Sequence, residues 1–169
     1  IHKKLPKKLV KPIQKLQPVK IGAFTVEAFD VPHDSADCCG YTITYNDKRF
    51  VLITDCGKIT EEVSSRALEA DYLVLESNYD PQMLETGPYP LHLRRRIACS
   101  TGHLSNTETA EFLRDNSFAN LRQLFLCHLS ENNNTHELVD SAVSQALQDK
   151  NVPYHILDRR KVNGFFELD

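Results

Sequence analysis

Some segments of this chain alternate apolar and polar residues, and others are short runs that are wholly apolar. Residues 41–45 alternate tyrosine and isoleucine with threonine, which predicts a half-buried strand. The turn at 46–48 joins it to residues 50–54, so we expect a hairpin. Wholly apolar runs indicate strands that are buried on both faces. Further strands are predicted at 24–31, 72–75, 121–126, 152–157 and 164–168.

Helix signals fill most of the gaps between these strands. Thr60 suits an N-cap because Glu61 and Glu62 follow it at the positive end of the helix dipole. Ser105 and Glu108 have the spacing of a capping box. Helices are predicted at 60–70, 91–97, 105–113 and 135–147, and an irregular stretch at 79–90. The order of elements indicates an α/β fold, in which ligands gather at the carboxyl ends of strands.

Charge is distributed unevenly along the 169 residues, although the net charge is only −3. The first 20 residues contain seven lysines and no acidic residue. We therefore divide the chain into a basic connector, residues 1–20, and a folded part, residues 21–169. Contact with phosphate groups and a plain solvated linker both explain the connector.

Composition narrows the class of protein. The chain is 41% hydrophobic and 25% charged, as expected of a globular domain. No apolar run reaches membrane-spanning length, so no membrane partner is expected. Five cysteines without a CxxC pair argue against a disulfide framework. A reducing cytoplasm is the simplest expected location.

Four polar residues stand at strand ends or in turns that open helices: His33, Asp55, His103 and His128. Imidazole nitrogen and carboxylate oxygen are metal ligands, and the fold can bring them together from distant segments. From spacing alone, a hydrogen-bonded loop histidine explains each imidazole equally simply. A turn or a helix cap explains Asp55 in the same way.

Six short motifs follow one another along the chain: VPHDS at 31–35, ITDCG at 53–57, ESNYD at 76–80, GPYP at 87–90, GHLSN at 102–106 and CHLSENN at 127–133. In this order they resemble the bacterial YycJ/WalJ group of metallo-β-lactamase-fold hydrolases. The resemblance covers about residues 20–150, and the segment 102–130 also resembles the tRNA 3′-processing nucleases of that fold.

This resemblance implies an αββα sandwich and a site with two divalent ions, zinc or manganese. It implies that His33, Asp55 and His128 are metal ligands, with Asp55 bridging the ions. His103 would lie beside the substrate phosphate, where it would donate a proton to the leaving oxygen or form a hydrogen bond to the phosphate. Asp55 and His103 are thus the expected catalytic residues. Expected substrate-binding residues are Ser105, Ser130, Asn132 and Asn133, for which capping and turn formation are the alternative roles.

Two departures from the family pattern limit what the resemblance implies. The HxHxDH motif, which supplies most ligands of the first ion in the family, does not occur in this chain. We therefore expect the chain to be the C-terminal portion of the sandwich plus a connector, with weak or single-metal occupancy on its own. Tyr79 stands where the family usually has histidine, so a functional role there is doubtful.

The function expected is a metal-dependent hydrolase, a nuclease or phosphodiesterase with DNA or RNA as its partner. Two other readings stay open at this point. One is a thioester or other small-molecule hydrolase of the same fold. The other is a catalytically incomplete fragment that binds partners without turnover. An exposed sheet edge would also favour a homodimer of the isolated chain.

Overall fold

A computed structural model of the chain describes residues 12–168, which form one mixed sheet with helices packed against it. The seven strands lie in chain order, antiparallel from β1 to β4 and parallel from β4 to β7. The strands are β1 Val19–Ile21, β2 Phe24–Asp30, β3 Cys39–Tyr45, β4 Lys48–Ile53, β5 Tyr72–Glu76, β6 Gln123–Cys127 and β7 Tyr154–Ile156.

The helices after Thr60 and Ser105 begin at the caps that the sequence indicated, and Thr135 caps a third helix. Thr60, Ser105 and Thr135 each accept a hydrogen bond from a backbone N–H in the first turn of the helix that follows. Ser105 and Glu108 form the full capping box. The helices are α1 Glu61–Leu68, α2 Pro81–Thr86, α3 Leu91–Ile97, α4 Asn106–Asp115 and α5 His136–Ala146.

One face of the sheet carries the hydrophobic core. Alternate residues of β4, β5 and β6 are fully buried against α1, α4 and α5. Each buried leucine or isoleucine contributes about 1.5–3 kcal/mol through removal of apolar surface from water. The core residues from these strands are Val51, Ile53, Leu73, Leu75, Leu124 and Leu126. The packed helices thereby fix the positions of the strand ends that carry the candidate site.

The opposite face of the sheet is also apolar but only partly covered. Phe24 and Tyr45 pack against each other there with tilted rings whose centroids are 5.2 Å apart, and both are exposed. The chain after β7 crosses part of this face. There the Phe166 ring packs against Phe125, with 4.9 Å between centroids. We call this surface the open face.

Most of the predicted elements are present in the described residues, and two predictions are wrong. Residues 164–168 form no strand, because Phe166 is held by aromatic contacts on the open face instead of pairing at a sheet edge. The stretch 79–90, predicted irregular, contains α2, whose start Asp80 caps by accepting from Met83 N at 2.8 Å.

The basic connector overlaps the sheet at its end. β1 includes Val19 and Lys20, which pair with β2. Residues 1–11, with most of the predicted connector, lie outside the described residues. None of the helices between residues 12 and 168 has the length and apolar character needed to cross a bilayer.

Candidate active site

Parallel strand ends bring the predicted polar residues to one edge of the sheet. β2, β4, β5 and β6 run in the same direction, so their carboxyl ends meet there. His33, Asp55 and His128 follow β2, β4 and β6, and Glu76 ends β5. His103 enters from the turn before α4. The structure thus brings together all four residues predicted as metal or catalytic groups.

Close backbone packing holds the loops of the site against one another. A Cβ atom added to Gly57 would lie 2.5 Å from Gly102 N, which is closer than real Cβ atoms approach. Only glycine therefore lets the loop after Asp55 touch the turn that carries His103. The motifs ITDCG and GHLSN each supply one of these glycines.

In each of the three histidines of the site, the Nδ1 atom faces a hydrogen-bond acceptor of the protein. His33 Nδ1 lies 2.8 Å from Gly102 O, and the Nδ1 atoms of His103 and His128 lie 2.7 and 2.6 Å from Glu76 Oε1. Carbonyl and carboxylate oxygens only accept hydrogen bonds, so Nδ1 is the protonated nitrogen in each ring. Each neutral ring is left with the Nε2 lone pair for a metal or a substrate. Partners of this kind fix the tautomer of histidine ligands in metal sites.

Asp55 lies between two of these rings. Its Oδ1 atom is 3.5 Å from His33 Nε2 and 3.8 Å from His128 Nε2. His103 is next to both histidines, with ring centroids 4.9 Å from His33 and 5.2 Å from His128. Imidazole nitrogens around a carboxylate oxygen are a donor set that suits zinc, manganese or iron. The residues therefore fit a divalent ion at Asp55.

Asp55 and His128 adopt unusual backbone conformations. Their φ angles are +53° and +60°, in the left-handed region that residues other than glycine rarely enter. Such strain persists where the surrounding structure imposes it, and it clusters at functional sites. For His128 part of the restraint is visible, since Asn78 Nδ2 donates to His128 O at 2.6 Å.

Glu76 is the charged residue that links the site to the core, and its side chain is 0% exposed. It accepts from His103, from His128 and, at 2.6 Å, from the backbone N–H of Cys56. Burial disfavours its charged form, but the hydrogen bonds from His103 and His128 outweigh burial and hold the pKa of Glu76 below its ordinary value. The hydrogen bond to Glu76 in turn raises the pKa of His128.

A buried amide network lies behind Glu76. Asn134 Nδ2 donates to the backbone carbonyls of Ser77 and Asn78, at 2.9 Å each. Asn106 Nδ2 donates to Asn134 Oδ1 at 2.8 Å, and Ser77 Oγ donates to Asn106 Oδ1 at 2.7 Å. The network joins the ends of β5 and the turns before α4 and α5. It therefore couples the three segments that carry Glu76, His103 and His128.

The four predicted substrate-binding residues divide into two pairs. Ser105 and Asn133 are buried, and their side chains hydrogen-bond to Glu108 and Ser130, respectively. Ser130 and Asn132 lie in the loop that contains Asn133 and are more accessible to solvent than Asn133. Asn132 Nδ2 donates to Tyr89 Oη at 2.9 Å. Substrate binding by these residues remains a prediction.

Glu76 is not among the residues that the sequence predicted for the site, and nothing in the sequence placed it between the two histidines. One signal was available: an acidic residue at the end of the apolar run 72–75 must be buried with partners. Those partners lie in the turns at residues 103 and 128, and nothing in the sequence links either turn to residue 76. Arg96, on α3, pairs with Asp34 beside His33, with Nε and Oδ2 2.5 Å apart.

Known proteins resemble this chain in sequence. Residues 2–129 match the family model described as the beta-lactamase superfamily domain. The chain belongs to this superfamily. It is 36% identical over 129 residues to the exodeoxyribonuclease YycJ of Bacillus anthracis, which covers 76% of this chain and 49% of that protein. It is 35% identical over 117 residues to the exodeoxyribonuclease WalJ of Streptococcus pneumoniae, covering 69% of this chain and 44% of that one.

Solved structures of the superfamily show the same fold. The metallo-β-lactamase fold protein YhfI of Bacillus subtilis superposes with a TM-score of 0.64 at 19% identity, covering 89% of this chain and 55% of that one. Zn(2+)-bound PqqB of Methylobacterium extorquens gives 0.55 at 19% identity, over 85% of this chain and 49% of that one. The chain spans about half the length of the curated relatives it matches. The fold class predicted from the sequence, an α/β fold of the metallo-β-lactamase type, is confirmed.

Proposed function

We propose that this chain carries half of the active site of a metal-dependent phosphodiesterase that acts on DNA or RNA. The observation that supports the proposal most directly is the convergence of His33, His103 and His128 around Asp55, each ring with its Nδ1 occupied by a protein acceptor. The exodeoxyribonuclease names of the relatives favour a nucleic-acid substrate. We further propose a dinuclear site, of zinc or manganese, with Asp55 as the bridging ligand.

His33, Asp55 and His128 would hold the metal. A divalent ion bound there supplies Lewis-acid stabilisation of the phosphate oxygens and lowers the pKa of bound water. His103 has its Nδ1 bound to Glu76, so its Nε2 is the atom that can face a leaving oxygen. In its protonated form His103 can transfer the Nε2 proton to that oxygen, while the buried Glu76 carboxylate stabilises the imidazolium.

The test is the His128→Ala substitution in the complete protein that contains this chain. We expect turnover of a labelled DNA substrate to fall by more than about 100-fold and metal content to fall with it, because a ligand and the partner of Glu76 are both lost. Metal content is measured by plasma mass spectrometry, and a panel with a thioester substrate distinguishes other hydrolase activities of the fold.

His136→Ala is the matched control, since His136 is an exposed histidine at the start of α5 and belongs to neither group of candidate metal ligands. It should leave turnover and metal content unchanged. Full DNA turnover in His128→Ala with metal retained contradicts the proposed site. Turnover of the thioester alone, with none on nucleic acid, contradicts the proposed substrate class.

A further inference from the structure

A cavity opens directly beside the candidate site. Its volume is about 490 Å³, and His103 and His128 form one of its walls. Tyr89 and Arg159 also line it. Ligand pockets in proteins have volumes of roughly 300–1,000 Å³, so the cavity has room for a ligand the size of one nucleotide. Its apolar lining comes from Ile97, Leu129 and Leu157.

The segment that carries Arg159 is a fixed turn at the end of β7. Asp158 Oδ1 accepts from the backbone N–H groups of Arg160 and Lys161, at 2.8 and 3.1 Å. Asn163 Oδ1 accepts from Asp158 N at 2.6 Å, which closes the turn. Three successive cations, residues 159–161, are therefore held at the same sheet edge as the candidate site. We call residues 158–163 the basic turn.

Arg159 is available to an anion. Its side chain is 49% exposed, and Nη1 lies 3.7 Å from Glu131 Oε2. Ion pairs this exposed are weak, so a phosphate group can compete with Glu131 for the guanidinium. Arg160, from the same basic turn, also pairs with Glu131 and can neutralise it when Arg159 turns to a ligand. The planar guanidinium can bind a phosphate through two hydrogen bonds.

Tyr89 offers an aromatic surface on another wall of the cavity. It lies between α2 and α3, and its hydroxyl accepts a hydrogen bond from Asn132. This bond restrains the ring while leaving it part of the cavity lining. An aromatic ring next to a cation is the combination with which proteins bind single nucleic-acid strands, because bases stack on the ring and phosphates pair with the cation.

We propose that this cavity binds the nucleotide next to the scissile phosphate. Arg159 pairs with the phosphate group of that nucleotide, and Tyr89 stacks on its base. The inference rests on the proposed phosphodiesterase function and adds to it a subsite for an unpaired nucleotide. Arg159 and Tyr89 are then residues that determine preference for nucleic acid over small phosphodiesters. Neither residue contacts the reacting atoms.

The experiment compares variants of the complete, metal-loaded protein on a short single-stranded oligodeoxynucleotide and on bis(p-nitrophenyl) phosphate. Arg159→Ala should raise KM for the oligonucleotide by roughly 10-fold and reduce the salt dependence of log KM by about 0.7, the contribution of one phosphate contact. Its turnover of bis(p-nitrophenyl) phosphate, which has a single phosphate, should match that of the wild type. Arg122→Ala is the control, because Arg122 is 47% exposed and lies before β6, at the other edge of the sheet.

The role of Tyr89 is tested with the base next to the scissile phosphate, which can be left out of the substrate. Tyr89→Ala should raise KM by roughly 5- to 150-fold through loss of base stacking, and Tyr89→Phe should restore most of the affinity. Removing the base next to the scissile phosphate should abolish the effect of Tyr89→Ala and leave the effect of Arg159→Ala intact.

Wild-type kinetics for Arg159→Ala and Tyr89→Ala on the oligonucleotide overturn the subsite while leaving the proposed function in place. An equal loss on both substrates for Arg159→Ala also overturns it, since Arg159 would then act on the reaction itself. If the wild-type protein cleaves bis(p-nitrophenyl) phosphate but no oligonucleotide, the nucleic-acid function fails and the subsite fails with it.

Discussion

Glu76 shows how one buried carboxylate orients two catalytic-site imidazoles. Both oxygens are occupied: Oε1 accepts from His103 and His128, and Oε2 accepts from Cys56 N. A buried charge is costly unless it is fully hydrogen-bonded, so this arrangement is stable only while all three donors are present. The carboxylate thereby fixes which nitrogen of each ring faces the site.

Substituting Glu76 by glutamine tests that role. The amide keeps the size of the side chain but loses the charge, and its single oxygen cannot replace both carboxylate oxygens as acceptors for all three donors. We expect kcat on DNA to fall by about 10- to 100-fold with a smaller change in KM, because the rings lose their orientation. Steady-state kinetics measure the effect, and circular dichroism monitors the fold.

Glu111→Gln is the control for this experiment, since Glu111 is exposed on α4 away from the site. It should leave kcat unchanged. If Glu76→Gln retains full kcat while Glu111→Gln does the same, the orientation of His103 and His128 does not depend on the carboxylate. That result would contradict the assignment of Glu76 as a positioning residue.

At the scale of elements, the site depends on connections between strand ends and helix starts. The end of β5 and the starts of α4 and α5 meet in the amide network of Asn106 and Asn134. Buried amides of this kind are stable only when their partners are all in place. The network therefore transmits the rigidity of the helix-covered core to the loops that carry the histidines.

Removing one amide should loosen this connection. In Asn134→Ala, the Ser77 and Asn78 carbonyls and the Asn106 side chain all lose a hydrogen-bond partner. We expect the free energy of unfolding to fall by about 1–3 kcal/mol, the cost of leaving buried polar groups unpaired. Urea denaturation of the complete protein measures the change.

The neighbouring Asn132 provides the comparison, because its side chain is exposed in the same loop. Asn132→Ala should change the free energy of unfolding by no more than about 0.5 kcal/mol. Equal stabilities for Asn134→Ala and Asn132→Ala would show that the buried network is replaced by water at no cost. The coupling between the three segments would then need another explanation.

At the scale of the whole molecule, the sheet is covered unequally on its two faces. Helices α1, α4 and α5 bury one face, while aromatic residues remain accessible on the open face. Large exposed apolar surfaces on soluble proteins mark places where another layer of protein packs. The open face is therefore a surface on which another protein layer can pack.

We predict that the 169-residue chain on its own self-associates through the open face, as a homodimer or a larger species. Light scattering should show a mass that rises with concentration, because association removes Phe24 and Tyr45 from water. The double substitution of Phe24 and Tyr45 by lysine should lower the mass toward that of a monomer. Phe24 and Tyr45 are each 47% exposed.

Leu91→Lys is the matched substitution outside the open face, since Leu91 is 52% exposed on α3. It should leave self-association as it is in the unchanged chain. A concentration-independent monomer for the unchanged chain would contradict the prediction. Equal effects of the open-face and Leu91 substitutions would show that general solubility, and not this surface, controls association.

The sequence by itself determined the local structure and the kinds of groups at the site. Apolar runs specify strands such as β5, and Thr60, Ser105 and Thr135 specify helix starts, because these signals act over a few neighbouring residues. The motifs around His33 and His128 specified the superfamily, which the comparisons confirm. The local signal for a strand was wrong at residues 164–168. Their apolar residues include Phe166, which packs on the sheet face instead of forming a strand.

Only the tertiary structure decided which groups touch. Nothing in the sequence near Glu76 specifies that His103 and His128, 27 and 52 residues away, both donate to its carboxylate. The same holds for the cavity that Tyr89 and Arg159 line, because one residue lies between β5 and β6 and the other follows β7. Such contacts depend on the register of parallel strands and on helix packing, which sum many weak interactions over the whole fold.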